Sequence, residues 1–208
     1  MYSLKEIFYT IQGEGLHTGR PAVFIRFAGC NLWSGHEKHR ASAICKFCDT
    51  EFVGTNGNLG GKYTVFQLIE IIQKLWPSTS VVPFIVLTGG EPAMQIDREL
   101  IDGFKKSGFY ISIETNGTLA LPEGIDWVCV SPKSDTTLEV IKGDELKFVF
   151  PQADVSPDRF EKLDFKRHSL QPMDGIDIVP NTKLVIDYCK AHPKWNVSLQ
   201  THKILQIP

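Results

Sequence analysis

The sequence predicts an α/β fold built around a parallel sheet. Short apolar runs alternate with segments that have the periodicity of amphipathic helices, which is the pattern of successive β-α units. Small and polar residues directly follow several of these runs, as expected where parallel strands end at a ligand-binding edge. The chain has 208 residues, 42% of them apolar, which suits one domain with a full core. We therefore expect a single domain spanning residues 1–208.

The strands of this fold are predicted at the apolar runs Ala22–Ala28, Phe84–Thr88, Tyr110–Glu114, Trp127–Val130, Leu146–Phe150, Asp174–Val179 and Val197–Gln200. The clearest helix begins at Thr64, whose hydroxyl can form a capping box with Gln67, and ends before Pro77. Further helices are predicted at Arg98–Ser107, Pro157–Leu163 and Thr182–Ala191. Residues Gly54–Lys62 hold four glycines and two asparagines, so they are predicted to form a mobile loop, either a lid or a plain connection.

Composition excludes several classes of protein. With 22 basic and 24 acidic residues the formal net charge is only −2, so no broad basic surface is available for nucleic acid. No apolar run reaches the ~18 residues of a membrane span, and the first residues lack the core of a signal peptide. We therefore expect a cytoplasmic protein without nucleic-acid or membrane partners.

Five cysteines without disulfide-scaffold density suit a reducing compartment, with thiols that are free or bound to metal. Cys30, Cys45 and Cys48 fall close together after the first predicted strand. Three thiolates could hold a cubane iron–sulfur cluster and leave one iron open, or could bind structural zinc together with His36 or His39. The spacing leaves both possibilities open. The other two cysteines are predicted to lie elsewhere, Cys129 in a buried strand and Cys189 on a helix face.

Polar groups and glycines cluster after the predicted strands. These segments are Gly29-Cys30, Thr88–Pro92, Glu114–Thr118, Ser131–Lys133 and Gln171–Asp174. Adjacent glycines such as Gly89 and Gly90 let the backbone approach a ligand closely. No dinucleotide fingerprint, Walker loop, nucleophile elbow or zinc-protease helix is present. The pattern therefore favours a cofactor site at the edge that carries the three cysteines.

These motifs resemble those of the radical S-adenosylmethionine (SAM) enzymes and, within them, the 7-carboxy-7-deazaguanine synthases of queuosine and deazapurine biosynthesis. The superfamily features are the cysteine triad with Phe47 before the last cysteine, and Gly89–Pro92 closing a strand. The subfamily features are Thr10–Gly15, Cys48–Thr50, Glu114–Gly117, Ser131–Lys133, Gln171–Met173 and Leu199–His202. Fourteen residues separate Cys30 from Cys45, more than is typical of the superfamily, although some synthases share such an insert. Its role stays open.

The resemblance implies an incomplete (β/α) barrel with the cluster at its open upper edge. It further implies that Cys30, Cys45 and Cys48 hold a [4Fe-4S] cluster whose free iron binds SAM, and that one electron yields methionine and a 5′-deoxyadenosyl radical. That radical would take hydrogen from C6 of 6-carboxy-5,6,7,8-tetrahydropterin. Ring contraction and loss of ammonia would then give 7-carboxy-7-deazaguanine, with SAM regenerated. An electron donor such as flavodoxin or ferredoxin and a homodimeric assembly are also implied.

Individual roles follow from the resemblance. The positions that match SAM-binding residues are Phe47, Cys48, Asp49, Gly90, Glu114, Asn116, Ser131, Pro132, Lys133, Gln171, Pro172, Met173 and Asp174. Those that match substrate-binding residues are Ile11, Gln12, Gly13, Glu14, Arg26, Thr88, His202 and the terminal carboxylate of Pro208. Thr50 matches a Mg2+ position, although a capping threonine is the alternative.

Arg26 also stands out from its own chemistry. It interrupts an apolar strand, and a guanidinium can grip a carboxylate with two parallel hydrogen bonds. A structural or edge-strand arginine is the alternative.

Three other functions compete with the synthase. They are a radical SAM activating enzyme acting on a protein glycyl site, an electron-transfer iron–sulfur protein, and a zinc-stabilised binding module. Gln12–Glu14 and His202 favour the synthase, because they are small-substrate features in the family that the chain resembles.

Overall fold

Nine strands form one continuous sheet in the computed structural model, which describes residues Met1 to Pro208. The strands are β1 (Tyr2–Ile11), β2 (Pro21–Phe27), β3 (Gly61–Tyr63), β4 (Phe84–Gly89), β5 (Tyr110–Thr115), β6 (Trp127–Val130), β7 (Lys142–Phe150), β8 (Asp164–Pro172) and β9 (Trp195–Val197). The helices are α1 (Val65–Leu75), α2 (Arg98–Lys106), α3 (Ile178–Ala191) and α4 (Thr201–Leu205). Short 3-10 segments lie at Glu37–Ser42, Pro92–Met94 and Pro157–Phe160.

The sheet runs in the order β3-β1-β2-β4-β5-β6-β7-β8-β9. All neighbours from β2 to β9 are parallel, whereas β1 pairs antiparallel with both β2 and β3. Because β3 and β9 are both edge strands, the sheet does not close on itself. The prediction of an incomplete α/β barrel is confirmed.

The two faces of the sheet differ in chemistry. Val23, Ile25 and Phe27 of β2 belong to the largest apolar core, which includes Leu68 of α1 and Phe104 of α2. A smaller core joins β7, β8 and β9 to α3. Because side chains alternate between faces along a strand, the opposite, inner face receives the polar residues of the same strands. This arrangement leaves a polar surface inside the partial barrel.

Helix α1 begins as the sequence predicts. The Gln67 amide donates to Thr64 Oγ1 over 3.3 Å, and Gln67 Oε1 accepts from the Thr64 amide over 2.9 Å, so the capping box is complete. Leu68 and Ile72 are buried on its inner side. Such a cap satisfies two backbone donors that a helix leaves open at its start. Helix α2 and strands β2, β4, β5 and β6 also agree with their predicted positions within a residue or two.

The prediction of a strand at Asp174–Val179 is wrong. These residues form a turn and the start of α3, and Ile176 is 99% exposed. The actual strand, β8, comes just before them. Its inner face carries Ser169 and Gln171, so it lacks the apolar run that reveals a buried strand.

Other elements also differ from their predictions. Strand β1 was not predicted, the last strand is Trp195–Val197 rather than Val197–Gln200, and Pro157–Leu163 contains only a single 3-10 turn. Of the two alternatives for Gly54–Lys62, the structure agrees with a plain connection that leads into β3. The Gly57 amide donates to the Lys5 carbonyl over 3.0 Å, and the Asn58 carbonyl accepts from Ile7 over 2.8 Å, so this segment is fastened along β1. No helix is long and apolar enough to cross a membrane.

Candidate active site

A cavity of about 340 Å³ opens where the parallel strands end. Inner-facing residues of β1, β2 and β7 line it, together with the ends of β4, β5, β6 and β8. The rest of the wall comes from three segments outside the strands: the one after β1, the cysteine segment around Cys45 and Cys48, and the carboxyl-terminal residues. The predicted site residues that line it are Ile11, Gln12, Gly13, Glu14, Arg26, Cys45, Phe47, Cys48, Asp49, Thr50, Thr88, Gly90, Glu114, Asn116, Ser131, Lys133, Gln171, Pro172, Met173, Asp174, His202 and Pro208.

Two predicted residues, Cys30 and Pro132, are not among the lining residues. Cys30 nevertheless lies directly behind the wall, because a Cβ placed on Gly90 would be 2.9 Å from Cys30 Cβ. Pro132 instead contacts Gln152, whose side chain donates a hydrogen bond to the Pro132 carbonyl over 3.2 Å.

Two thiols of the triad face the cavity together. A hydrogen bond from the Cys45 thiol lowers the pKa of Cys48 to about 6, against the opposing effect of burial and with help from the charge of Lys133. Lys133 Nζ also donates to Ser131 Oγ over 2.8 Å and lies 5.5 Å from the centre of the Phe47 ring. Burial raises the pKa of Cys30. The pKa of Cys45 is raised as well, chiefly by its hydrogen bond with Cys48, so thiolate formation is easiest at Cys48.

The donor set fits an iron–sulfur cluster better than a single ion. No three His, Cys, Asp or Glu side chains converge closely enough to hold one metal ion. His39 Nδ1 instead shares a hydrogen bond of 2.8 Å with Ser34 Oγ, and neither His36 nor His39 lines the cavity. In a cubane each thiolate binds a different iron, so three thiols placed around one edge can suffice. The geometry gives no support to zinc held by a histidine.

Two glycines bring the end of β4 against the cysteine segment. Gly89 has φ of +140°, and a Cβ there would lie 2.3 Å from the Phe27 carbonyl oxygen. A Cβ on Gly90 would lie 2.1 Å from the Gly29 carbonyl oxygen. Only glycine fits either position without moving the backbone. The contact places backbone that carries no side chain at the cavity wall.

The next residue, Glu91, ties β4 to β5. Its fully buried carboxylate accepts from the Ala93 amide over 2.9 Å, from Thr115 Oγ1 over 2.7 Å and from the Asn116 amide over 2.7 Å. Burial raises the pKa of Glu91, although these hydrogen bonds oppose the shift. Asn116 in turn donates to Asn31 Oδ1 over 2.9 Å. The strand-end turn is thereby connected to the segment that carries the cysteines.

An ionic cluster occupies the inner face below the strand ends. Lys147 Nζ forms an ion pair with Glu14 and lies 3.3 Å from Glu114 Oε2. Gln12 donates to Glu114 over 2.9 Å, and Gln200 donates to Glu14 over 2.9 Å. Burial alone would raise the pKa of Glu14, but Lys147 and Gln200 outweigh it and lower that pKa. Burial would lower the pKa of Lys147, but the two carboxylates keep it well above its usual range.

Sequence reasoning missed Lys147 as a site residue. The available signal was the one that identified Arg26, namely a cation within an otherwise apolar strand. Arg26 itself lies in β2, between β1 and β4, so it is not on an edge strand. Its Nε donates to Glu6 Oε1 over 2.8 Å, which holds the guanidinium, and Arg26 is one of the residues that line the cavity.

Lys203 is a second missed residue, and it joins two predicted ones. Its Nζ lies 2.5 Å from Asp49 Oδ2 and 2.6 Å from Asp174 Oδ2, and it donates to Gln200 over 3.1 Å. Burial would raise the pKa of Asp49, but the hydrogen bond and charge of Lys203 lower it. Helix α4 therefore connects the cysteine segment to the end of β8 at the mouth of the cavity.

The carboxyl-terminal residues also contact the segment after β1. The Thr201 amide and hydroxyl both donate to the Gly13 carbonyl, over 2.9 Å and 2.8 Å. A Cβ on Gly13 would lie 2.3 Å from His202 Nδ1. Thr10 Oγ1 donates to the Pro208 carbonyl over 3.1 Å. Gly13, His202 and Pro208 are thus brought to one side of the cavity. Thr50 lies on the cavity wall and precedes no helix, so it is not a capping residue.

Comparison with known proteins agrees with this geometry, although no protein-family model matches the chain. The chain is 56% identical over 208 residues to the 7-carboxy-7-deazaguanine synthase of Burkholderia multivorans, covering 100% of this chain and 99% of that protein. It is 55% identical over 207 residues to the protein of the same name from Bradyrhizobium diazoefficiens, covering 99% of both.

A solved structure shares the fold. The crystal structure of QueE from Escherichia coli superposes with a TM-score of 0.69 at 27% identity, covering 95% of this chain and 93% of that chain. Identity above one half along the whole chain, together with the triad of thiols at the strand ends, leads to one conclusion: the chain belongs to the 7-carboxy-7-deazaguanine synthase family of radical SAM enzymes.

Proposed function

We propose that this protein is a lyase that converts 6-carboxy-5,6,7,8-tetrahydropterin to 7-carboxy-7-deazaguanine with release of ammonia. One observation carries the proposal. Three features that are far apart in sequence line a single cavity of about 340 Å³. They are the cysteine turn at residues 45–51, the polar strand ends, and the buried ionic cluster of Glu14, Glu114 and Lys147. A volume of this size suits a small-molecule site.

The three thiols of Cys30, Cys45 and Cys48 would hold a [4Fe-4S] cluster. When bound, the cluster and SAM supply a 5′-deoxyadenosyl radical able to take hydrogen from the substrate, and SAM is regenerated at the end of the reaction. The protein's contribution is orientation and the exclusion of water.

Residues around the strand ends are suited to orienting SAM. Lys203 holds the Asp49 and Asp174 carboxylates at fixed positions, where they can accept hydrogen bonds from ribose hydroxyls. Gly90 offers a wall without a side chain, and Ser131 with Lys133 adds a polar pair on the facing strand end. Glu114 and Asn116 complete this edge, together with Phe47 and the segment Gln171–Met173.

The inner face is suited to the pterin. Glu6 fixes Arg26 through Nε, so the two terminal nitrogens of the guanidinium remain for the substrate carboxylate. Glu14 stays ionised because Lys147 lowers its pKa, and it can accept hydrogen bonds from pterin nitrogens. Gln12, Thr88 and His202 are further polar groups on this wall. Ile11, Gly13 and Pro208 complete the proposed substrate site.

A Mg2+ ion at Thr50 is part of the proposal. Mg2+ prefers oxygen ligands, keeps several waters and takes few ligands from protein. Thr50 lies on the cavity wall beside Cys48 and Asp49, where its hydroxyl would hold such an ion and the ion would supply positive charge for the substrate carboxylate. A bound cation there would help fix the carboxylate that Arg26 contacts.

We also propose a homodimer located in the cytoplasm, with a one-electron donor such as flavodoxin or ferredoxin and no nucleic-acid partner. A formal net charge of −2 gives little attraction to phosphate backbones.

The test is an anaerobic assay of the reconstituted protein with a reductant, SAM, Mg2+ and 6-carboxytetrahydropterin, followed by mass spectrometry. We expect 7-carboxy-7-deazaguanine to accumulate without matching loss of SAM. Irreversible consumption of SAM with the pterin untouched would instead support an activating enzyme. Failure to bind iron and sulfide would overturn the proposal.

A further inference from the structure

The insert between Cys30 and Cys45 places one cation against the cysteine turn. It contains a short 3-10 segment, Glu37–Ser42, which carries Arg40. Arg40 Nη1 donates to the carbonyl of Lys46 over 3.0 Å and to the carbonyl of Cys48 over 3.2 Å. Both acceptors belong to the turn that bears two of the three thiols.

Arg40 is held in this position by other groups of the insert. Its Nε donates to both carboxylate oxygens of Glu37, over 2.9 Å and 2.8 Å. Its guanidinium lies 4.1 Å above the ring of Trp33, which is 8% exposed and packs edge-on against Phe52 at 5.6 Å between ring centres. Stacking on an aromatic face suits arginine and keeps its planar fork in one orientation.

Lys203 and Lys5 bind side chains of the turn, at Asp49 and Glu51, and leave the backbone around the two cysteines to other groups. Residues Cys45–Glu51 belong to no helix or strand, so their carbonyls have no regular backbone partners. At the start of the turn, the Ile44 and Cys45 amides donate to the Leu32 carbonyl over 3.1 Å and 3.3 Å. Arg40 supplies the hydrogen bonds to the next carbonyls of the turn, those of Lys46 and Cys48.

We propose that Arg40 is the positioning residue of the cysteine turn: by binding two of its carbonyls, it holds Cys45 and Cys48 in the conformation that presents both thiols to the cavity. The inference rests on the proposed role of these cysteines as cluster ligands. The opposing interpretation is a surface ion pair between Arg40 and Glu37, which would contribute little.

Two consequences separate these interpretations. Loss of the charge-assisted hydrogen bonds should loosen the turn and speed the loss of metal, since partners behind metal ligands affect metal affinity about 10–100-fold. Loss of the positive charge should also lower the reduction potential of a nearby cluster, because reduction adds negative charge. A surface ion pair predicts no faster loss of metal, so the rate of metal loss is the consequence that decides between them.

The experiment compares Arg40→Met, Arg40→Lys and the control Lys38→Met with the wild-type chain, all anaerobically reconstituted. A ferrous chelator measures the rate of iron release, and a redox titration followed by electron paramagnetic resonance measures the cluster potential. We expect iron release about tenfold faster in Arg40→Met and a lower potential. In Arg40→Lys we expect faster release at a nearly unchanged potential, because charge remains and the two-carbonyl geometry is lost. Lys38→Met removes an exposed cation of the same 3-10 segment that contacts neither carbonyl, and it should release iron at the wild-type rate.

A wild-type rate of iron release in Arg40→Met, or equally fast release in Lys38→Met, would overturn the inference. Thermal unfolding checks that each variant folds. If Arg40→Met does not fold, iron release is compared between Arg40→Lys and the wild type.

Hydrogen exchange keeps the inference separate from the proposed function. If the wild-type chain holds no cluster, the proposed function fails. Exchange of the amides at residues 45–50 in the cluster-free protein still tests Arg40, and we expect it to be about tenfold faster in Arg40→Met, because loss of its hydrogen bonds favours local opening of the turn. Equal exchange in the two proteins would overturn the inference.

Discussion

Lys147 Nζ lies 3.3 Å from Glu114 Oε2 while it is also paired with Glu14, so one buried ammonium serves two carboxylates. The Lys147 side chain is only 4% exposed. Removal of such a cation would leave two carboxylates facing each other in a poorly solvated interior. The ionic cluster therefore stabilises the fold as well as shaping the cavity.

We expect Lys147→Met to lower the free energy of unfolding by about 3–5 kcal/mol, because breaking a buried ion pair leaves an uncompensated charge. Urea unfolding measures the change. Lys183→Met removes the exposed pair with Asp187 and should change stability by less than about 0.5 kcal/mol. A second substitution, Glu14→Gln, should restore part of the loss. Wild-type stability in Lys147→Met would show that the pair contributes little.

Arg26→Met should raise KM for the pterin about 10–100-fold, since a hydrogen bond to a charged group is worth about 1.5–3 kcal/mol. The KM of Arg26→Lys should lie between those of the wild type and Arg26→Met, because lysine keeps the charge without the two-nitrogen fork. Steady-state kinetics at saturating SAM measures both. Arg98→Met, on the exposed side of α2, is the matched control. An unchanged KM would remove Arg26 from the substrate site.

Thr50→Ala should weaken the dependence of turnover on Mg2+, because it deletes the proposed oxygen ligand. Turnover is measured across a Mg2+ titration. Thr50→Ser retains the hydroxyl and should follow the wild-type curve. If the alanine variant gives the wild-type titration as well, Thr50 has no part in binding the metal.

Stability should fall with acid partly through His168, far from the cavity. Burial lowers the pKa of His168 below 6.5, with help from the charge of Lys194, and its Nε2 has no hydrogen-bond partner. The unfolded chain therefore binds a proton that the native protein does not. The stabilising contribution is complete above pH 6.5 and is lost as pH falls toward the native pKa.

The slope from one such group is at most about 1.4 kcal/mol per pH unit. Unfolding free energies of His168→Gln, measured between neutral and mildly acidic pH, should change less with pH than those of wild type. His36→Gln, at an exposed position, should keep the wild-type slope. Equal slopes in all three proteins would assign the acid sensitivity to other groups.

Much of this site was predictable because its residues lie in short motifs. Gly89-Gly90, Glu114–Gly117 and Ser131–Lys133 follow strands with clear apolar runs, and parallel topology then brings them to one edge. The partnerships of Lys147 and Lys203 were missed for a physical reason. Their carboxylate partners are contributed by distant parts of the chain, and local spacing carries no information about such pairs.

The missed strands have a common cause as well. β1 contains Lys5, which is 5% exposed and paired with Glu51, and β8 turns Ser169 and Gln171 toward the inner face. Interior polar residues remove the apolar signal on which strand prediction depends. At Asp174–Val179 the opposite error arose, since Ile176 and Val179 are apolar but exposed.

The division of the sheet into an apolar helix-covered face and a polar inner face has an evolutionary consequence. Because alternate residues of the same strands serve the two faces, many inner-face residues can change without opening a void in the apolar core. Lys147 and its partners are the exception, since the proposed substrate contact of Glu14 and thermodynamic stability are joined there. New specificities should therefore arise more readily at Arg26, Thr88 or His202 than at Lys147.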